Sequence, residues 1–312
     1  MASADEFAGQ KIAAVSVIIP TYNRAHCLPR ALESVLRQTF DDIEVIVVDD
    51  CSKDETQAYL SSISDPRLRV IVHEKNKGGS GARNTGIRAA RADLIAFQDS
   101  DDEWLVTKLE KQMEEYRRVN SSDYGAVYCG KVTYGEAGRG KYGARQVYYA
   151  PYPECEPAAG DILLSLLKRP MISTQTLLVR RDLLQKIEGF DESLKIGQDW
   201  DLTTRLARHT KFIFIEEPLG LCFIEPDSIS KAKVNLAFSF ENILKKNIDV
   251  IEQHPQLHAD FLLDIARTHQ KNGRWRTAML RALQALKIRP SYRRSWMTFL
   301  LALLTYPLPD RR

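Results

Sequence analysis

Over the first hundred residues, short apolar runs alternate with stretches whose apolar residues recur every three or four positions. Four apolar runs, rich in β-branched residues, predict strands: VSVIIP (15–20) and IEVIVVDD (43–50), which are expected to be buried, and LRVIVHE (68–74) and DLIAFQD (93–99). Three intervening stretches predict helices: RALESVLRQ (30–38), KDETQAYLSSI (53–63, with Ser52 as N-cap) and GARNTGIRAARA (81–92). This alternation predicts a parallel sheet with helices on both faces.

The pattern changes twice further along the chain. It predicts a charged helix over 104–119, a strand over 124–134, an irregular loop over 135–157, and then further strands and helices up to about residue 225. From there it is purely helical, with breaks at Gly273 and Pro290, and resembles about one repeat of a tetratricopeptide-like hairpin. We therefore expect a flexible segment 1–13, an α/β domain over 14–230 and a helical C-terminal region over 231–312.

Polar residues follow three of the predicted strands. They occupy positions 21–24, 49–52 and 99–102. Ligands of open parallel sheets bind in the crevice beyond the carboxyl ends of the strands. The sequence therefore predicts one site, built from these three strand ends.

The stretch IAFQDSDDEW (95–104) crowds four acids into five positions after a strand. One interpretation is a divalent cation, Mn²⁺ or Mg²⁺, held by one or two carboxylates together with substrate phosphates. The other is a solvated acidic loop in which Asp101 or Asp102 caps the next helix. The second acidic strand end, VVDDCSKD, favours a binding site.

Composition narrows the class of protein. The formal net charge is +3, too small to indicate nucleic-acid binding. Five scattered cysteines form no CxxC pair, so we expect reduced thiols in a cytoplasmic protein. The N-terminus has no signal-peptide pattern. The longest uncharged stretch near the end has fifteen residues and two prolines, which predicts no transmembrane helix.

Three ordered segments carry a resemblance to a known family. VSVIIPTYNRAHCLPRALESVLRQTFDDIEVIVVDDCSKDET, NKGGSGARNTGIRAARADLIAFQDSDD and IEGFDESLKIGQDWDLTTRLAR resemble family 2 glycosyltransferases, which are inverting enzymes of the GT-A fold. The resemblance covers roughly residues 15–230. It implies a mixed, mostly parallel α/β sheet flanked by helices, with the helical C-terminal region as an extension.

The resemblance also implies how the nucleotide is bound. Pro20, Thr21 and Tyr22 would lie along the base and ribose. Asp50 would accept a hydrogen bond from the uracil imide, although an aspartate that caps a turn is the structural alternative.

The DSD segment matches the metal-binding motif of the family. Asp101 would bind the cation, and Asp99 would contact the ribose or support the metal shell. Asp102 would orient these two, or cap the following helix.

Further roles follow from the same resemblance. Arg83 and Asn84 would face the nucleotide, with a helix-surface position as the alternative for Arg83. Asp199 would be the catalytic base, and Asp201 would have no catalytic role. Trp200 lies next to the base, where it would stack on a sugar or pack in the core.

Two positions depart from the family pattern. Gln198 stands where a Glu is common, and Glu225 stands near the end of the domain where many members have a His. A role for Glu225 at the metal therefore stays open.

These observations predict an inverting, metal-dependent glycosyltransferase. It would move one sugar from a nucleotide sugar, a UDP-sugar by preference, to a hydroxyl of a glycan or glycolipid in surface-polysaccharide assembly. A sugar-nucleotide nucleotidyltransferase is the alternative enzyme class, but PTYNRAHC lacks the glycine-rich loop expected after the first strand. A non-catalytic nucleotide-sugar-binding protein is the third class.

The C-terminal region is strongly basic. Residues 265–312 contain eleven Lys and Arg and one acid, and Arg289, Arg293 and Arg294 precede the apolar SWMTFLLALL. A basic flank beside an apolar helix is typical of peripheral attachment to anionic lipid, here on the cytoplasmic face of the inner membrane. A packed helix with a solvated basic face is the alternative.

Overall fold

The computed structural model describes residues 12–135, 146–150, 158–223 and 236–304. Contacts within the chain define two compact units. The first comprises Met1–Ser193 and Gln198–Pro226, and the second comprises Leu194–Gly197 and Asp227–Arg312.

The first unit is built on one mixed sheet. Its strands in chain order are β1 (Val15–Thr21), β2 (Ile43–Asp49), β3 (Leu68–Val72), β4 (Leu94–Phe97), β5 (Glu103–Trp104), β6 (Tyr124–Gly135), β7 (Gln146–Ala150), β8 (Leu177–Arg180) and β9 (Lys211–Phe223). The spatial order is β3-β2-β1-β4-β8-β6-β9-β5, with β7 paired to β6. Strands β3, β2, β1 and β4 run parallel, as do β6 and β9, whereas β5, β7 and β8 pair antiparallel with their neighbours. The predicted mixed, mostly parallel architecture is confirmed.

Helices cover both faces of this sheet. They are α1 (Leu28–Leu36), α2 (Thr56–Ser61), α3 (Gly78–Ala89), α4 (Lys108–Val119), α5 (Leu163–Lys168), α6 (Arg181–Lys186) and α7 (Gln198–Ala207). Val17 and Ile19 of β1 pack with α1 and α4, while Ile18 packs with α3 and α7 on the opposite face. All seven residues of β1 are buried, which is why its sequence is apolar without alternation.

Helix α3 approaches the sheet closely at Gly86. A Cβ added there would lie 2.4 Å from Ile18 Cγ2, so only glycine fits. This contact packs α3 against β1.

Three local predictions were wrong. Helix α4 begins at Lys108 with Thr107 as N-cap, because Glu103 and Trp104 pair with β9 as a short strand. Asp101 and Asp102 therefore do not cap it. Helix α2 begins at Thr56, because Ser52 Oγ accepts the backbone N–H of Asn23 at 2.9 Å instead of capping a helix.

The predicted irregular loop over 135–157 contains a strand. Gln146–Ala150 forms β7, which pairs with β6 in register from Lys131↔Ala150 to Gly135↔Gln146. The other predicted loop residues after position 135 lie outside the described residues.

The second unit is helical where the structure describes it. Its helices are α8 (Leu236–Lys246), α9 (Ile248–Ile251), α10 (Pro255–Lys271), α11 (Trp275–Ile288) and α12 (Arg293–Leu304). Helices α10 and α11 form the predicted hairpin at Gly273, and α12 packs on both. Among the described residues, no helix has the length and apolar character needed to cross a bilayer.

Candidate active site

Asp50 directly follows β2, and both of its carboxylate oxygens take part in hydrogen bonds. Asp50 is 2% exposed, and its Oδ1 accepts the backbone N–H of Lys77 at 2.8 Å and bonds His73 Nδ1 at 2.7 Å. Its Oδ2 accepts the N–H of Gly78 at 2.7 Å, at the start of α3. Asp50 thus adopts the turn-capping position named as its structural alternative, and its predicted contact with uracil remains a prediction.

The loops that follow β1 and β2 are tied to each other. Asn23 and Cys51 both have left-handed backbone conformations, with φ of 53° and 70°. Asn23 Oδ1 accepts the N–H of Lys53 at 2.7 Å, in addition to the Ser52 contact of its own N–H. Non-glycine residues in this conformation are strained and concentrate at functional sites.

The residues predicted to contact the base and ribose lie at the end of β1 and at the start of the loop that follows it. Pro20 and Thr21 are buried, whereas Tyr22 is 45% exposed. Thr21 is in register with Asp49, and Thr21 Oγ1 and Asp49 Oδ2 are buried without a hydrogen-bond partner in the described structure. Unsatisfied buried polar atoms are rare in folded proteins and mark positions that call for an explanation.

Asp99, after β4, is paired with Arg83. Arg83 NH2 donates to Asp99 Oδ1 at 2.5 Å, and Arg83 NH1 donates to Gln198 Oε1 at 3.3 Å. Arg83 lies on α3 and Gln198 is the first residue of α7. The arginine therefore links the acidic strand end to the helix that carries Asp199, and it is not a solvated helix-surface residue.

Asp102 is the most deeply buried acid of the cluster. Its Oδ2 accepts from Gln175 Nε2 at 2.6 Å and its Oδ1 accepts from the N–H of Phe223 at 2.9 Å. Burial, reinforced by the charges of Asp99 and Asp101, raises the pKa of Asp102 to about 8. The acids at this strand end, Asp99, Asp101 and Asp102, therefore repel one another, and Asp102 binds a proton more readily than an ordinary aspartate does.

Asp199 lies in the first turn of α7 and shares this electrostatic field. Burial raises its pKa, and the charge of Asp99 raises it further. The cations of Lys131 and Arg83 act in the opposite direction. The structure thus brings the predicted base and the predicted metal-binding acids into one corner.

Lys131 is a cation of this corner that the sequence analysis missed. Trp104 pairs with Gly220 across β5 and β9, and Gly220 pairs with Lys131 across β9 and β6. Lys131 follows a register shift in β6, and such bulges re-aim side chains. Its charge lowers the pKa of both Asp102 and Asp199. One lysine in a strand carries no motif, so only the pairing of distant strands reveals it.

Asn84 makes structural contacts rather than facing the site. Its Nδ2 donates to Phe190 O and to Glu192 Oε1, both at 2.9 Å. Its Oδ1 accepts the N–H of Phe190 at 2.8 Å. This side-chain amide holds the turn that precedes α7, so the prediction that it contacts nucleotide is replaced by a positioning role.

Trp200 occupies a packing position. It is 4% exposed, and its indole N–H donates to Leu166 O at 2.6 Å. This burial leaves no ring face for a sugar, so the stacking alternative was wrong for this conformation. Asp201 pairs with Arg205 at 2.7 Å, in line with its expected structural role. Glu225 lies outside the described residues.

The donor set suits a divalent cation that shares its shell with a diphosphate. Among the described residues no group of three or more His, Cys, Asp or Glu side chains gathers around one point. Mg²⁺ and related ions commonly take one or two carboxylates and complete their shell with phosphate and water oxygens. The mutual repulsion of Asp99, Asp101 and Asp102, which a bound cation would relieve, is the observation that fits, and Asp101 with Asp99 are the carboxylates that would hold the ion.

A mostly parallel sheet with acids at the carboxyl ends of its strands, flanked by helices, defines the GT-A class of glycosyltransferases. The sequence profile described as "Glycosyl transferase family 2" matches residues 16–187. An uncharacterized glycosyltransferase of Rickettsia prowazekii (strain Madrid E) is 33% identical over 266 residues, which are 83% of this chain and 80% of the relative. The chain belongs to glycosyltransferase family 2, and the resemblance found in the sequence is confirmed.

A second relative has a more specific name. The UDP-Glc:alpha-D-GlcNAc-diphosphoundecaprenol beta-1,3-glucosyltransferase WfgD of Escherichia coli is 42% identical over 108 residues, which are 35% of this chain and 43% of WfgD.

Two solved structures share the fold. S. aureus TarS 1-349 in complex with UDP-GlcNAc aligns with a TM-score of 0.62 at 21% identity, covering 94% of this chain and 91% of that one. The mannosyltransferase PcManGT from Pyrobaculum calidifontis, in complex with GDP-Man and Mn²⁺, aligns with a TM-score of 0.59 at 20% identity, covering 96% and 82%. At these identities the likeness establishes the fold alone.

Proposed function

We propose that this glycosyltransferase is an inverting, metal-dependent enzyme. It transfers one sugar from a UDP-sugar to a hydroxyl of a glycan or lipid-linked glycan. The observation that carries the proposal is the link from Asp99 through Arg83 to Gln198, which joins the DSDD strand end to the helix turn of Asp199.

Asp199 is the proposed general base. The acceptor oxygen attacks the anomeric carbon while its proton passes to the Asp199 carboxylate. The bond from the anomeric carbon to the diphosphate oxygen breaks, and its electron pair leaves with UDP. Attack from the face opposite the diphosphate inverts the anomeric configuration. Burial raises the pKa of Asp199, which brings its basicity closer to what proton abstraction near neutral pH requires.

The charged residues around the base have separate proposed roles. Asp101, with Asp99 beside it, would hold Mn²⁺ or Mg²⁺, which when bound supplies charge neutralisation at the diphosphate. Arg83 orients Asp99 through their ion pair, and its guanidinium would pair with the donor phosphates. Tyr22, exposed beside buried Thr21, would cover the base and ribose.

Similar proteins support the choice of substrates. WfgD is named for UDP-glucose and a diphosphoundecaprenol-linked acceptor, and the TarS structure contains UDP-GlcNAc. PcManGT was solved with GDP-Man and Mn²⁺, which supports the metal but not the uracil base. We therefore propose a UDP-sugar donor, an acceptor in surface-polysaccharide assembly, and a cytoplasmic location at the inner membrane where lipid-linked glycans are available.

A donor panel tests the proposal. Purified protein is incubated with UDP- and GDP-sugars and a GlcNAc-diphosphate-lipid acceptor, with Mn²⁺ or with EDTA, and nucleoside-diphosphate release and glycan product are measured. We expect release with one UDP-sugar, dependent on Mn²⁺ and abolished in Asp199→Asn. Equal turnover with EDTA and with Mn²⁺ would exclude a metal requirement. A preference for a GDP-sugar would exclude a UDP-sugar as the donor.

A further inference from the structure

Helix α12 has an inverted distribution of side chains. The residues it buries are small: Ser295, Thr298 and Ala302, all at most 2% exposed. The residues it exposes are large and apolar. Trp296, Met297, Leu300, Leu301 and Leu303 are each between 48% and 53% exposed. A helix of a water-soluble surface normally shows the opposite arrangement.

The exposed apolar residues form one continuous side of the helix. At about 100° per residue, Leu303, Trp296, Leu300, Met297 and Leu301 fall within roughly 160° of the helix circumference. Arg293 is exposed in the same sector, at its N-terminal end. We call these six residues the α12 face.

The inward side of α12 is fixed within the second unit. Arg294 NH1 donates to Asp260 at 2.5 Å and Arg294 NH2 donates to Asp264 at 2.6 Å, both on α10. Ser295 Oγ and Thr298 Oγ1 are buried without a hydrogen-bond partner among the described residues. A rotation of the helix would bury the leucines and release these hydroxyls, yet the small residues are the ones that pack inward.

The segment of the sequence that contains α12 is basic. Residues 265–304 contain nine Lys and Arg and no Asp or Glu. Lys287 and Arg293 are exposed, whereas the charge of Arg294 is compensated by the two aspartates on α10. Exposed apolar residues with the exposed Arg293 at the N-terminal end of the face complement a surface that is anionic outside and apolar beneath.

We propose that the α12 face is the surface by which this protein binds the headgroup region of an anionic lipid bilayer, with α12 lying parallel to the membrane plane. Trp296 suits such a position. Its indole N–H donates to Pro290 O at 2.8 Å, which fixes a half-exposed ring of the kind enriched at membrane interfaces. Leu300 and Leu303 would enter the acyl boundary, and Arg293 and Lys287 would meet the headgroups.

Vesicle flotation of the full chain tests this surface. The probes are vesicles of phosphatidylcholine alone and of an equal mixture with phosphatidylglycerol. We expect binding to the anionic vesicles, weakened at least about tenfold in Leu300→Asn/Leu303→Asn and several-fold in Arg293→Glu. Phe238→Asn removes a side chain of similar exposure, 52%, from α8 and should bind like the original protein. Circular dichroism checks that each variant folds.

The other outcomes overturn the proposal. Wild-type protein that ignores anionic vesicles, or a double variant that binds as well as the wild type, excludes α12 as the lipid surface. A dimer in solution that the double variant converts to monomer, without vesicle binding, assigns the α12 face to a second copy of this chain. Flotation measures binding and not transfer, so its failure leaves the proposed transferase activity untouched.

Discussion

The two ends of the same sheet hold buried carboxyl groups whose pKa values are shifted in opposite directions. At the amino end of β2, Glu44 is 9% exposed and accepts from Ser16 Oγ at 2.6 Å, the N–H of Arg91 at 2.7 Å and Arg69 NH1 at 3.1 Å. Burial acts to raise the pKa of Glu44, but these donors outweigh it and the pKa is lowered. At the carboxyl end, burial and two neighbouring acids raise the pKa of Asp102 to about 8.

The two pKa shifts differ because the fold supplies different hydrogen-bond donors to Glu44 and to Asp102. Glu44 has a hydroxyl, a backbone amide and a guanidinium within its own unit, so its charge stabilises the fold. Asp102 has one amide side chain and one backbone N–H, and two further acids repel it. The amino end of the sheet therefore contributes stability, whereas the carboxyl end crowds together acids whose repulsion a bound cation would relieve.

The largest expected effect is at Asp199. Asp199→Asn keeps the size of the side chain but cannot take up the acceptor proton, so transfer should fall about 10³-fold. UDP binding, measured by calorimetry, should be unchanged. Asp182→Asn, in the first turn of α6, is the matched control and should keep full activity. Retained transfer by Asp199→Asn would mean that another residue is the base.

A smaller loss of transferase activity is expected for Asp101→Asn. The comparison is a substitution at the opposite end of β4. Asp101→Asn removes one carboxylate from the proposed metal shell, and we expect about 10²-fold slower transfer with weaker Mn²⁺-dependent UDP binding. Asp93→Asn precedes β4 at the amino end, where the Asp93 side chain is 99% exposed. It should leave both measurements unchanged, and equal effects of the two variants would break the distinction between the two ends.

A substitution at the amino end of the sheet should lower the stability of the protein and leave its transferase activity unchanged. Glu44→Gln loses a charge that accepts three hydrogen bonds, so the free energy of unfolding at pH 7 should fall by about 2 kcal/mol with transfer preserved. The native pKa of Glu44 lies below the ordinary value of 4.5. Its contribution is therefore complete above pH 4.5 and is lost as pH falls through the native pKa.

Urea unfolding between pH 3 and pH 7 measures this contribution. The stability difference between the original protein and Glu44→Gln should shrink toward acid pH. A difference that stays constant with pH would show that packing, and not the carboxylate charge, accounts for the loss.

The smallest effect is expected at Lys131. Lys131→Met removes a cation that lowers the pKa of Asp199, so the acid limb of the pH–rate profile should move to higher pH. We expect kcat/KM to fall about tenfold near neutral pH, and Lys131→Arg to restore most of it. Lys111→Met removes a surface lysine of α4 and should change nothing. An unshifted pH profile would exclude Lys131 from the site.

The sequence predicted the first four strands because a local pattern marks each of them. Continuous β-branched runs at regular spacing permit few structures other than buried parallel strands. It also indicated the strand-end acids, since carboxyl ends of parallel strands share one edge. Local pattern failed at Ser52 and at the start of α4, where contacts with Asn23 and with β9 replaced the expected helix caps.

The amino-acid sequence by itself determined the α/β architecture, the family and the set of candidate acids, because each rests on short-range periodicity or an ordered motif. Tertiary structure alone decided the environment of each residue. It engaged Asp50 and Asn84 with backbone groups, buried Trp200, and brought Lys131 toward Asp199 through pairing of β5, β9 and β6. The physical reason is that charge and hydrogen bonding depend on distances across the fold, and those distances arise from strand pairing between segments far apart in the chain.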